Sequence, residues 1–181
     1  MTDLASPPVA PKTDGHQDFR LTTFARVWLA VARVCLGWIF LWAFLDKLIG
    51  LGHGTPSQGA WLNGASPTAG YLGGVKGSFA GVFAAMSGQA WADWLYMVGM
   101  GGLGVAFVLG IGMRVAALGG VALLGMLWLS ALPLDNNPFM DEHLVYLATA
   151  IALAAARAGD TLGLGRAWAK SGLVQTFPFL R

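Results

Sequence analysis

Two runs of 20 uncharged residues, Trp94 to Met113 and Val115 to Leu134, stand on either side of Arg114 and are closed by Asp93 and Asp135. At a rise of about 1.5 Å per residue, each forms a helix about 30 Å long, the thickness of a hydrocarbon core. Inside lipid a backbone has only its own groups to hydrogen-bond, so such runs fold as spanning helices. Two of them therefore meet in a tight turn at Arg114.

Two further apolar runs extend the pattern. Val27 to Ile49 holds Arg33, Asp46 and Lys47, and Leu144 to about Ala158 is charge-free until Arg157. Together the runs predict an all-α, integral membrane, antiparallel four-helix bundle, with helices near 24–50, 92–113, 115–134 and 142–159. Composition agrees: 56% of the 181 residues are hydrophobic and 11% charged, against roughly 25% charged in soluble domains. That excludes an ordinary soluble enzyme domain. The net charge of +2 excludes a basic nucleic-acid surface, and a single cysteine excludes an internal disulfide or thiol relay. That cysteine, Cys35, lies in an apolar stretch and is expected to be an inert buried thiol.

Basic residues flanking spans are retained on the cytoplasmic side. With the N-terminus inside, Lys12, Arg20, Arg26, Arg114, Arg157, Arg166, Lys170 and Arg181 are cytoplasmic, and Lys76 alone is outside the spans on the outer side. Both termini are thus expected in the cytoplasm of a multi-pass plasma-membrane protein. Residues 1–22, with Pro7, Pro8 and Pro11, read as a disordered cytoplasmic tail, 23–159 as the transmembrane domain and 160–181 as a cytoplasmic interfacial tail. The apolar run after this tail is too long for a cleavable signal peptide and has no cleavage-like end, so the first helix is expected to serve as its own targeting signal.

Small residues at four-residue spacing predict close helix packing: Gly102, Ala106 and Gly110 on the second span, Ala116 and Gly120 on the third, Ala150, Ala154 and Ala158 on the fourth. The long segment 50–92 between the first two spans carries a helical stripe, Phe79, Val82, Phe83, Met86 and Ala90, which predicts an extracytoplasmic interfacial or re-entrant helix. Such a helix either caps the bundle or forms a lid over a ligand site.

The densest polar cluster is Asp135-Asn136-Asn137-Pro138-Phe139-Met140-Asp141-Glu142-His143. Acidic groups here can cap the fourth helix. Alternatively His143, with Asp141 and Glu142, can exchange protons beside an apolar slot, as catalysis at a quinone site requires. Asp46, Lys47, Asp93, Trp94 and Asn137 fall at the same membrane level and are candidates for binding a quinone or small anion. Arg33 lies about 10 Å from the inner end of the first span with no carboxylate at matching depth, which leaves snorkelling and ligand binding both open. No fixed metal or haem is expected, because the histidines are only His16, His53 and His143, and no pair shows the spacing of helical zinc motifs.

The order Arg33-Val-Cys-Leu-Gly37-Trp-Ile-Phe40 leading to Asp46-Lys47-Leu48, then Trp91 through Arg114, then Asn136 through Tyr146, and the ending Gly163-Leu-Gly165-Arg166-Ala-Trp168, resembles the DoxX/DoxD family of small four-helix membrane proteins. The resemblance covers about residues 24 to 168. It is nearest to the branch described as the large subunit of thiosulfate:quinone oxidoreductase. It implies oxidation of thiosulfate to tetrathionate, membrane quinone as electron acceptor, and a second membrane or membrane-associated redox subunit. Against a thiosulfate dianion stands the outer charge, Lys76 facing Asp93, Asp135, Asp141 and Glu142. A non-catalytic scaffold or accessory subunit of a larger redox or respiratory complex is therefore the alternative.

Overall fold

The computed structural model describes residues 21–181. The tail expected over 1–22 falls, up to residue 20 and including Lys12, His16 and Arg20, outside the described residues. The described chain is all-helical. Its helices are α1 (Thr23–Ile49), α2 (Ala69–Gly73), α3 (Ala80–Met86), α4 (Ala90–Leu109), α5 (Met113–Ala131), α6 (Glu142–Ala155), α7 (Gly165–Ala169) and α8 (Gly172–Thr176), with 3-10 turns between several of them.

Three helices, α1, α4 and α5, are long and apolar enough to cross a membrane. Their outward faces are apolar, with Val98 63% and Leu118 72% exposed. Such surface is a liability in water and natural in lipid. The fold is therefore compatible with a membrane helical bundle. The helix expected over 142–159 is shorter: α6 has 14 residues, about 21 Å of rise, and stops at Ala155 because Arg157 turns left-handed at φ 51°. Likewise α4 ends at Leu109, where Gly110 takes a left-handed φ of 73° and supplies the C-cap. Helix α5 ends at Ala131, two residues before Pro133, which has no N–H to continue it.

Glycine sets the closest helix contact. A Cβ on Gly104 would lie 2.7 Å from the Leu41 backbone, and one on Gly37 would lie 2.7 Å from the Val108 backbone nitrogen. Gly101 faces Phe44 one turn further on. The pairing of 37 with 108, 41 with 104 and 44 with 101 makes α1 and α4 antiparallel. Helix α5 then runs antiparallel to α4, with Gly99 beside Leu123 and Gly119 beside Leu103, and Gly120 meets Ala150 of α6. Of the expected small-residue stripes, Ala116, Gly120, Ala150 and Ala154 pack inward, Ala158 lies beyond the end of α6, and on α4 Ala106 and Gly110 pack inward while Gly102 does not. Gly102 faces open space, and Gly101 and Gly104 make the seam. Leu36, Phe40, Leu103, Phe107, Leu124 and Leu153 fill the core between these helices. Cys35, expected buried, is exposed on the outward face of α1.

One end of the bundle carries the segments 50–89 and 132–141 and is called here the loop end. The other carries the α4–α5 turn and the C-terminal segment and is called the tail end. At the loop end, Phe79 and Val82 of the expected stripe are exposed and only Phe83 is buried. At the tail end, residues 158–181 fold back over the bundle. Arg181 pairs with Asp160 at 2.9 Å, its carbonyl accepts from the Arg114 amide at 3.1 Å, and the Trp168 indole donates to the Leu180 carbonyl at 2.8 Å.

Candidate functional site

Helix α6 begins at the loop end because Asp141 caps it. One carboxylate oxygen accepts from the amides of His143 (3.1 Å) and Leu144 (3.3 Å). The other oxygen lies 2.7 Å from Nδ1 of His143. One side chain thus both starts the helix and fixes the imidazole, leaving Nε2 as the nitrogen available to a ligand.

His143 faces a cavity of about 350 Å³ formed by α1, α3, α4, α5, α6 and the segment around Thr68. Its walls are mainly aliphatic and aromatic, with Phe40, Leu95, Met100 and Leu124 among them, and Lys47 and His143 supply its ionisable groups together with Tyr71, Tyr96 and Tyr146. An apolar slot with a few convergent polar groups is the usual form of a small-molecule site. Lys47 enters no ion pair among the described residues. Ser130 donates to the Leu127 carbonyl at 2.7 Å, so its oxygen accepts from the Tyr71 hydroxyl at 2.9 Å. That bond ties α2 to α5 across one side of the cavity.

Of the residues singled out in the sequence, the structure brings Asp141, His143 and Lys47 together here. The others serve nearby or elsewhere. Asp46 is buried and accepts from the amides of His53 (3.3 Å) and Gly54 (3.0 Å), shaping the turn after α1. Asp93 is buried and accepts from Ser66 (2.7 Å) and from the amide and hydroxyl of Thr68, which anchors the cavity roof. Trp94 points outward at 61% exposure and packs edge-on against Trp61, ring centres 4.6 Å apart. The wall from α4 is instead Ala92, Leu95, Tyr96 and Met100. Asn137 is exposed and caps its own turn, accepting from the amides of Phe139 and Met140, and Glu142 is exposed.

Arg33 sits near the tail end, fully buried. Its guanidinium donates to the carbonyls of Phe107, Val108 (2.8 Å) and Leu162 (2.8 Å), while Nε has no partner. These first two oxygens end α4, where the helix dipole is negative, so the charge is met by carbonyl dipoles rather than by a carboxylate. Gly110 and Gly163 pack directly against the guanidinium.

Tyr71, Tyr96, Ser130 and Tyr146 also line the cavity, without having stood out in the sequence. Tyr146 follows His143 by three residues on one helix face, and Ala92, Tyr96 and Met100 recur every four, so periodicity carried a signal for two of them. Tyr71 and Ser130 meet only through the folded loop. Among the described residues, no group of three or more His, Cys, Asp and Glu side chains is placed to hold a metal ion. Compared with known proteins, the chain matches no protein-family model, no curated protein and no solved structure.

Proposed function

We propose that the chain is a plasma-membrane protein in which α1, α4, α5 and α6 all span the bilayer, with both termini cytoplasmic and the loop end outside. Helix α6 is short, but it is flanked by α1 and α5, and a short span is accommodated by local bilayer thinning. Lys47 and Lys76 at the loop end against Arg26, Arg114, Arg157, Arg166, Lys170 and Arg181 at the tail end support that orientation. The segment 50–89 lies at the outer interface and roofs the cavity.

The cavity is proposed to bind the ring of a membrane quinone, making the chain the membrane subunit of a quinone-linked redox system. The observation that carries this reading is the Asp141-held imidazole of His143 lining an apolar cavity at a helix end. Quinone reduction takes two electrons and two protons. In this reading His143 relays two protons in turn from the outer aqueous phase to the quinone oxygens, and Lys47 stabilises the negative charge that develops before they arrive. With thiosulfate as donor, following the DoxX/DoxD resemblance, two thiosulfate ions join through a new S–S bond as tetrathionate, and their two electrons pass to the quinone. A second membrane or membrane-associated subunit brings the donor to the site.

The test is thiosulfate-dependent quinone reduction by the purified chain, alone and with any subunit retained in mild detergent. The His143→Ala protein should reach the membrane in normal amount and turn over about 10²-fold more slowly, the usual contribution of a positioned acid or base. The second reading, a non-catalytic scaffold, is favoured by the outward-facing Gly102 between exposed Val98 and Val105, a flank that admits a partner helix. It would be preferred if His143→Ala lowered assembly with a companion and left activity per complex unchanged.

A further inference from the structure

We propose a second binding site at the tail end, for a phosphate-bearing anion, in which Arg26 of α1 and Arg157 after α6 grip the phosphate together. Both line a cavity of about 490 Å³ with Leu21, Leu29, Asp160 and Thr161. The two arginines come from opposite ends of the sequence and converge only through the fold. Arg157 is held there at a price: its φ of 51° is a conformation that residues other than glycine and asparagine avoid. Asp160, the cavity's acidic member, is already engaged by Arg181 at 2.9 Å. Among the described residues neither Arg26 nor Arg157 enters an ion pair, so both guanidinia are available to an added anion.

Arg33, two turns deeper on α1, is not part of this site, because its Nη groups are bound to carbonyls. The planar fork of a guanidinium matches phosphate oxygens, and two forks on separate elements define a position where a single surface arginine does not. Leu21 and Leu29 add apolar surface beside the charge. That combination suits a phosphodiester headgroup with its glycerol backbone. In the membrane reading this end lies at headgroup level; a free phosphate shares the same chemistry.

Native mass spectrometry of the full-length protein, equilibrated with phosphatidylglycerol, with phosphatidylcholine or with inorganic phosphate, tests the site and separates its two sources. The variants are Arg26→Gln, Arg157→Gly and both together. Glycine suits the left-handed backbone at 157, so that variant removes the guanidinium without opposing the fold. Arg166→Gln, exposed at the same end and outside the cavity, is the control for general surface charge.

The expected result is retention of phosphatidylglycerol over phosphatidylcholine, about tenfold weaker in either single variant, weaker still in the double variant and unchanged in Arg166→Gln. Retention of inorganic phosphate with the same variant pattern would instead assign the site to a free phosphate. Equal binding by wild type and double variant, or an equal loss in Arg166→Gln, would overturn the proposal.

Discussion

The two ends of the bundle use polar residues in opposite ways. At the tail end, the deepest charge is consumed by the chain: Arg33 closes α4 onto the C-terminal segment through three carbonyl oxygens, with glycines packed against it. At the loop end, Asp46 and Asp93 are likewise consumed in folding the loop, yet Lys47 and His143, the latter held by Asp141, are left facing a cavity. Arg33, the deepest charge, thus marks how the helices are joined. Lys47 and the outer ring nitrogen of His143, which meet open space without a partner among the described residues, mark where a ligand can be met.

The largest expected effect comes from breaking the tail-end clasp. Arg33→Leu leaves the carbonyls of Phe107, Val108 and Leu162 without their donor, and should cost about 3 kcal/mol or more, read as loss of folded protein in detergent unfolding. If Arg33→Leu instead spares stability and abolishes quinone turnover, the contrast between the ends fails. Next is His143→Ala, where a turnover loss of about 10²-fold corresponds to about 2.7 kcal/mol in the barrier, with the α6 cap from Asp141 retained.

The helix seam should respond less. Gly104→Ala places a methyl against the Leu41 backbone and should destabilise by about 1–3 kcal/mol, whereas Gly102→Ala should be near neutral because its Cβ meets open space. Equal effects at the two positions would contradict the α1–α4 register. The smallest change is Tyr71→Phe, which removes one hydrogen bond between α2 and α5 and should cost about 1 kcal/mol. Its signature is faster exchange of the amides around α2 rather than lower overall stability.

Much of the helical frame was legible because it follows from charge spacing and length. Asp93, Arg114 and Asp135 bracket α4 and α5 to within a few residues. The errors arose where backbone geometry decides. Gly110 and Arg157 end their helices early by turning left-handed, which hydrophobicity does not register. At the site, Asp141 and His143 were legible since residues two apart at a helix start meet through the cap itself. Trp94 and Asn137 share the membrane level of the cavity but face elsewhere, and level alone does not determine direction. Tyr71 with Ser130, and Arg33 with Leu162, are pairings across more than fifty residues that no local pattern encodes.

Several glycines and aromatic residues of α1 and the C-terminal segment have structural roles of the same kind. Arg33, Gly37 and Phe40 form the α1 side of the seam, where Phe40 stacks on Phe107 with ring centres 6.3 Å apart. Gly163 and Gly165 pack against Gly159 at the foot of that seam. Such residues support the architecture, and the proposed function rests on the few that reach the cavity.

A quinone site at the loop end can be mapped by photo-crosslinking with an azido-quinone in bilayer nanodiscs, followed by peptide mapping. The expected label falls on cavity residues around Lys47, Tyr96 and His143 to Tyr146, is displaced by excess unlabelled quinone, and drops when Leu124→Trp fills the cavity. Label spread over the outward-facing residues Val98 and Leu118, or concentrated at the tail end and indifferent to competitor and to Leu124→Trp, would contradict it.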